Sequence, residues 1–249
     1  MKYGIMGAVV PMLMKKTSFV FLDKAVPGID PSAVKKEYKA IISRQPEIGG
    51  SRNNMIMGLY LAAYFMAVYK VAPDKLNDAV FKGYVDAVCG SDLFVKMNKG
   101  REFFTEKNIS TRNRLQSDPD FNSYPENWKY TFSYDMDVPE CTITYTKCAI
   151  CNMARREGCF HLMKALCTTD FAQQELMGNI LIRTKTIGNG DEICDFHIIG
   201  QKKEARLAKK NKNIKKAKKL IGKGKLIEEV AEELGVSVVT VKRYLKEDK

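Results

Sequence analysis

The first half of the chain has the hydrophobic pattern of helices. Between residues 54 and 71 the pattern is apolar on almost every side, and Met55–Tyr69 carries no charge over 15 residues. We expect a buried helix there, because the run is shorter than the roughly 20 residues that span a bilayer. Helices are predicted over residues 1–46 (broken near Pro27, with Asp30 as a candidate cap for a helix beginning at Pro31), 54–71, 73–88 and about 93–110.

After residue 125 the pattern changes to a period of two. Trp128–Met136 alternates aromatic and polar residues, and Cys141–Lys147 could supply its antiparallel partner. The remaining elements are predicted as helices at 148–166 and 169–177 and a closing hairpin with strands at 180–187 and 192–199. These elements indicate an α+β fold in which N-terminal helices pack on a small antiparallel sheet.

Basic charge is concentrated at the C-terminal end. The chain has a net charge of +12, and residues 201–249 contain 16 Lys/Arg against 7 Asp/Glu. We therefore expect three regions: a body at 1–200, a basic linker or helix at 201–225, and an all-α tail at 226–249.

The tail has the residue spacing of a helix-turn-helix. Ala231 is the small residue where two helices would cross, Gly235 would take the turn, Ser237 would cap the second helix, and Val241 would pack it on the first. The candidate DNA-facing side chains are Val239, Thr240, Lys242, Arg243 and Lys246.

This spacing resembles the helix-turn-helix of resolvases and sigma-like factors. The resemblance implies binding to duplex DNA, with the preceding lysines neutralising phosphates. Because one such unit binds weakly alone, a homodimer is a candidate assembly. The alternative is a short helical hairpin that packs on the body or on another protein.

The segment from Cys148 to His197 contains five of the seven cysteines and both histidines. An odd number of cysteines in a chain of this size favours free thiols and a reducing, cytoplasmic location. If one helix begins at Cys148, then Cys148, Cys151 and Cys159 share a face and could bind zinc. Alternatively, they fill a helix face as small apolar residues. The sequence itself requires no cofactor.

Cys167 and Asp170 lie at the junction of two predicted helices. Exposed amides at a helix start lower the pKa of a thiol, so Cys167 could act as a nucleophile. Asp170 could accept a proton or orient a water molecule, or simply cap the second helix.

The last predicted strand places Cys194 and Asp195 on opposite faces, unless a bulge intervenes. Asp195 and His197 share a face, and His197 is a candidate base or substrate-binding residue that could equally be structural. Arg183 could bind a carboxylate, although an exposed strand arginine is the ordinary alternative.

Together, Cys167-x2-Asp170, Arg183-Thr-Lys-Thr186 and Gly190-Asp-x2-Cys194-Asp-Phe196 resemble the L-2-amino-thiazoline-4-carboxylic acid hydrolase family. The likeness covers roughly residues 35–198, and the chain departs from the pattern at His197 and by its additional Cys151 and Cys159. The ending is also similar to vinyl-reductase-type ligand-binding domains.

The family resemblance implies ring-opening of a thiazoline amidine to an N-carbamoyl cysteine. On that basis Asp170 would be the base or water orienter and Cys167 the nucleophile or proton donor. Cys194 and Asp195 would complete the catalytic pocket, and Arg183 and His197 would bind the substrate. The alternative is a transcription regulator that senses a small-molecule ligand with a hydrolase-like body and reads DNA with its tail. Both alternatives describe a protein with no membrane segment.

Overall fold

The computed structural model describes residues 4–135, 138–200, 203–234, 236 and 238–246, without the side chains of Met6, 203–209, Val239 and Arg243. The chain divides into two compact units. The first contains Met1–Tyr134 and Cys141–Ile199, and the second contains Asp135–Glu140 and Gly200–Lys249.

The first unit is a helical layer followed by a four-stranded antiparallel sheet, as the α+β prediction requires. Its helices are α1 (Gly4–Ala25), α2 (Pro31–Arg44), α3 (Ile56–Val71), α4 (Asp78–Cys89), α5 (Asp92–Asn98), α6 (Glu106–Gln116), α7 (Pro119–Ser123), α8 (Ala149–Arg156), α9 (Met163–Leu166) and α10 (Thr169–Leu176). Its strands are β1 (Lys129–Asp135), β2 (Glu140–Lys147), β3 (Asn179–Ile182) and β4 (Cys194–Gly200), in the spatial order β1-β2-β4-β3.

The uncharged helix α3 lies at the centre of the core. It packs on α1, α2 and α8, and ten of its sixteen residues are buried. At the start of α2, the side chain of Asp30 accepts hydrogen bonds from the amides of Ser32 (2.8 Å) and Ala33 (3.2 Å). Both the buried helix and the Asp30 cap are therefore confirmed. Over the described residues, the structure has no helix long and apolar enough to cross a bilayer.

Three predicted elements are wrong in detail. The segment near 93–110 forms two helices, α5 and α6, since Thr105 caps the second one. The single helix predicted at 148–166 ends at Arg156, because Gly158 takes a φ of +69°. The strands of the closing hairpin are shorter than predicted: a 3-10 turn at Ile187–Asn189 does form, but it lies within a long connection, residues 183–193, between β3 and β4.

The second unit contains three helices among its described residues: α11 (Lys203–Ile221), α12 (Ile227–Leu234) and α13 (Val238–Tyr244). We call them the three-helix unit. Its core consists of buried side chains from all three helices: Ala217, Val230, Ala231, Val241 and Tyr244. The basic segment is thus a helix that contributes to this core, and Ala231 and Val241 occupy the packing positions that the sequence predicts.

Candidate active site

The connection between β3 and β4 is fixed by carboxylates that accept backbone hydrogen bonds. Asp195 Oδ1 accepts from the amides of Thr184 (2.9 Å) and Lys185 (2.5 Å), and Asp191 Oδ2 accepts from the amide of Thr186 (2.8 Å). Although partial burial opposes ionisation, the hydrogen bonds to Asp195 lower its pKa. Asp195 therefore holds the loop in place rather than presenting its carboxylate to a pocket.

Arg183 is the most constrained polar side chain of this region. Its Nη1 donates to Asp170 Oδ2 at 2.7 Å, and its Nη2 donates to the carbonyl oxygen of Cys167 at 2.8 Å. The guanidinium also lies 4.8 Å from the ring centre of Phe171 and 5.0 Å from that of Phe196. Only 6% of the Arg183 side chain is exposed, so the ordinary alternative of an exposed strand arginine is wrong. Arg183 does bind a carboxylate, but that carboxylate belongs to the protein.

Asp170 lies in the first turn of α10, whose N-cap is Thr168, so the capping alternative for Asp170 is wrong. Its side chain is 38% exposed although protein groups surround it. Burial raises the pKa of Asp170, and the opposing effect of Arg183 does not cancel this shift. The negative charge of Asp170 in turn contributes to raising the pKa of Tyr145, Cys89 and Cys167, and it opposes the lowering of the Cys148 pKa. The carboxylate is thus partly exposed and close to several ionisable side chains, although neither Asp170 nor Cys194 is among the residues that line the neighbouring cavity.

The thiols of Cys167 and Cys194 lie on either side of one hydroxyl group. Thr186 Oγ1 is 3.7 Å from Cys167 Sγ and 3.5 Å from Cys194 Sγ, and the amide of Ile187 donates to Cys194 Sγ at 3.2 Å. Burial, reinforced by the negative charge of Asp170, raises the pKa of Cys167 to about 12, and burial also raises the pKa of Cys194. The predicted lowering of the Cys167 pKa is therefore wrong, and both groups are thiols at neutral pH.

A cavity of about 180 Å³ opens beside these residues. It is lined by Lys164, Cys167, Thr168, Phe171, Arg183, Thr184, Lys185, Thr186 and Asn189. The cavity is smaller than the sites that hold drug-sized molecules, and its hydroxyl, amide and ammonium groups suit a small polar anion. Lys164, Lys185 and Thr186 are not among the predicted site residues, although the last two belong to the Arg183-Thr-Lys-Thr186 motif.

Two other candidates lie away from this cavity. His197 is half-buried on β4, beyond Phe196. The interruption after α8 separates Cys159 from Cys148 and Cys151. Its Sγ atom donates to the carbonyl oxygen of Glu157 at 3.5 Å. Among the described residues, no three Cys, His, Asp or Glu side chains are grouped so that they could hold a metal ion. The three cysteines therefore do not form the zinc site considered from their spacing.

The candidate DNA-facing residues lie on and just after α13. Lys242 and Lys246 are exposed, and Thr240 is half-buried. The side chains of Val239 and Arg243, and the residues Gly235 and Ser237, lie outside the described part of the chain. Glu233 joins α12 to the basic segment through ion pairs with Lys216 (3.0 Å) and Lys225 (2.7 Å).

Comparison with known families confirms both resemblances. Residues 53–198, more than half of the chain, match the model of the L-2-amino-thiazoline-4-carboxylic acid hydrolase family. Residues 206–248 match the model of the helix-turn-helix domain of resolvase. No curated protein and no solved structure matches the chain. The chain belongs to the L-2-amino-thiazoline-4-carboxylic acid hydrolase family and carries a resolvase-type helix-turn-helix domain after its hydrolase-family domain.

Proposed function

We propose that the hydrolase-family domain opens a small cyclic amidine of the 2-amino-thiazoline-4-carboxylate type to an N-carbamoyl cysteine. The observation that carries this proposal is Asp170, a carboxylate with a raised pKa that water can reach, held by Arg183 beside a small cavity. A carboxylate whose pKa is raised is a stronger base than an ordinary one, and such groups concentrate at catalytic sites.

In the proposed reaction, Asp170 removes a proton from water as the water oxygen bonds to the amidine carbon. The electron pair of the C=N bond passes to the ring nitrogen, which takes the second proton of the added water as the tetrahedral intermediate collapses. This collapse forms the C=O bond and breaks the bond from that carbon to sulfur. The departing thiolate receives the proton that Asp170 has taken, a downhill transfer because thiols have a pKa near ~8.5. One carboxyl group can therefore serve as base and then as acid, with Arg183 orienting it throughout.

The two thiols have a different role in this proposal. With a pKa of about 12, Cys167 is ionised too rarely at neutral pH to attack, and it is too weak an acid to protonate a departing thiolate. Cys167 and Cys194 would instead bind the substrate as neutral groups aligned by Thr186. Lys164 and Lys185, which line the cavity, would bind the substrate carboxylate.

The test is release of free thiol from 2-amino-thiazoline-4-carboxylate by the purified full chain. Asp170→Asn should reduce kcat/KM by at least about 100-fold, the usual contribution of a positioned base. Asp86→Asn is the matched control, because Asp86 is exposed and only pairs with Lys82 on α4. Equal turnover in the two variants, with both folded, would remove Asp170 from the mechanism; no turnover in the unaltered chain would remove the substrate.

We also infer that the three-helix unit binds duplex DNA. The match to the resolvase-type domain and the buried core shared by α11, α12 and α13 support this inference. On this reading Thr240, Lys242, Arg243 and Lys246 face the DNA. If the body binds its ligand without turnover, the whole chain would be a ligand-dependent regulator, which is the second candidate function.

DNA affinity of the full chain should be measured at several salt concentrations, with and without the thiazoline. Lys242→Ala or Lys246→Ala should reduce the slope of log affinity against log salt by about 0.9 per lost phosphate contact, while Lys82→Ala should not. Binding that survives deletion of residues 201–249 would exclude the three-helix unit as the DNA-binding element. Turnover together with DNA affinity that is indifferent to the thiazoline would exclude the regulator.

A further inference from the structure

Cys148 and Cys151 lie at the amino-terminal end of α8. Cys148 is the N-cap residue, with extended backbone angles, and Cys151 is on the first turn, which is closed by a 3.0 Å hydrogen bond from the Asn152 amide to the Cys148 carbonyl. In a first helical turn, residues three apart have Cα separations that a disulfide can span. The Cys151 thiol is also close enough to hydrogen-bond the sulfur of Cys148.

The two thiols differ in their access to solvent. Cys148 is half-buried, whereas Cys151 is 1% exposed. A C-x-x-C pair at a helix start, with one half-buried and one fully buried cysteine, is an arrangement suited to thiol–disulfide exchange. An external disulfide would therefore meet Cys148 first, and Cys151 would react through its contact with the Cys148 sulfur.

From this geometry we propose that Cys148 and Cys151 form a redox-active dithiol that reduces small-molecule disulfides. The Cys148 thiolate attacks one sulfur of the external disulfide, whose S–S bond breaks and releases the first thiolate. Cys151 then loses its proton and attacks the Cys148 sulfur, which releases the second thiolate and forms the Cys148–Cys151 disulfide. The protein dithiol loses two electrons, and the external disulfide becomes two thiols.

The electrostatics of the pair agree with this order of events. The Cys151 thiol lowers the pKa of Cys148, and the backbone amides of Ile150 and Cys151 add to the effect despite burial and the opposing charge of Asp170. The same contact raises the pKa of Cys151. Because Cys148 is also the more exposed of the two residues, we assign it as the attacking sulfur and Cys151 as the resolving one. This proposal does not rest on the proposed hydrolysis.

The chain itself provides a direct readout. Cleavage after Lys147 and Arg155 by trypsin gives the peptide Cys148–Arg155, which contains both sulfurs and no other cysteine. The reduced full chain is incubated with glutathione disulfide over a range of ratios to glutathione, and its remaining thiols are then alkylated. The peptide should become lighter by two hydrogen atoms and lose both alkyl groups.

Variants separate the two sulfurs. Cys151→Ser should stop at a mixed disulfide between Cys148 and glutathione, Cys148→Ser should not react, and Cys89→Ser should behave as the unaltered chain. In the unaltered chain, Cys148 should also alkylate at least about 30-fold faster than Cys167 at pH 7. This factor follows from pKa values at least three units apart, reduced by the higher intrinsic nucleophilicity of the more basic thiolate. A dithiol that stays alkylated on both sulfurs at every ratio, or a mixed disulfide that never closes in the unaltered chain, would overturn the proposal.

Discussion

Gly188 is required by the sulfur of Cys167, and Gly188→Ala tests that requirement. A Cβ atom at this position would lie 2.6 Å from Cys167 Sγ and 3.1 Å from the Cβ atom of Met163 on α9. Ordinary contacts of a Cβ begin near 3.4 Å, so the overlap with sulfur is close to 0.8 Å. The sulfur must therefore move away from its 3.7 Å contact with Thr186 Oγ1 and towards the cavity that Cys167 lines.

Insertion of one methyl group into a packed site of this kind costs about 1–3 kcal/mol. For a domain of this size, that cost corresponds to a fall in Tm of about 3–9 °C. Urea unfolding can be followed by the fluorescence of Trp128, the single tryptophan, which is buried at the start of β1 and reports on the body. Gly58→Ala is the matched control, since its new Cβ would meet only Ile150 at an ordinary 3.8 Å within helix α3. We expect it to be neutral or to stabilise by up to about 1 kcal/mol.

A double-mutant cycle isolates the contact with sulfur. In a Cys167→Ala background the sulfur is absent, so Gly188→Ala should cost less than about 1 kcal/mol. Thiol release should also fall in Gly188→Ala, because the displaced Cys167 side chain enters the cavity. The same cost in both backgrounds would refute the reasoning and assign the effect to the backbone of the loop.

Three further predictions test other parts of the molecule. Glu157→Gln should cost about 1.5–3 kcal/mol at pH 7, since the carboxylate, 2% exposed, accepts from Arg44 (2.7 Å) and Lys70 (2.8 Å). Because these partners lower the pKa of Glu157 despite burial, urea unfolding should show this difference at pH above 4.5 and its loss as the pH falls through the lowered value. As the pH is lowered, kcat/KM should fall when Asp170 becomes protonated, at a pH above 3.8. Any residual activity of Asp170→Asn should not show this fall. Val241→Asp should unfold the three-helix unit and abolish DNA binding in a gel-shift assay, while the tryptophan transition of the body stays unchanged; retained DNA binding would contradict this prediction.

Local and periodic features explain which elements could be predicted from the sequence. The Asp30 cap, the apolar stretch of α3 and the alternation in β1 and β2 each leave a signal within a few residues. The end of α8 depends on Gly158, which takes a left-handed conformation. The spacing of Cys151 and Cys159 also fits a continuous helix, so it did not predict this end. Gly188-Asn-Gly190 predicts a turn, but the length of the connection around it could not be predicted. That connection is fixed by hydrogen bonds from backbone amides to the carboxylates of Asp191 and Asp195, which leave no periodic pattern in the sequence.

The candidate site was predictable to a similar degree. The sequence motif placed Cys167, Asp170 and Arg183 together, and the 2.7 Å pair between Asp170 and Arg183 shows two of them in contact. The state of the Cys167 thiol was not predictable, because burial and the charge of Asp170 raise its pKa by more than Thr186 and Arg183 lower it. Lys164 was missed, since its place at the cavity depends on how α9 packs against the loop after β3.

The stability linkage of Asp170 gives an independent argument for chemistry at this cavity. Its pKa is raised in the folded state, so folding stability falls as the pH rises from about 3.8 through the folded value, and the ionised carboxylate is a cost at neutral pH. Arg183, 6% exposed, offsets part of that cost, and replacing Asp170 alone would leave the guanidinium without its charged partner. A purely structural ion pair gains nothing from keeping its carboxylate open to water, because solvent weakens the attraction between the two charges. A proton-transfer group needs that access. The partial exposure of Asp170 therefore supports the proposed hydrolysis, whose pH dependence and Asp170→Asn variant test it.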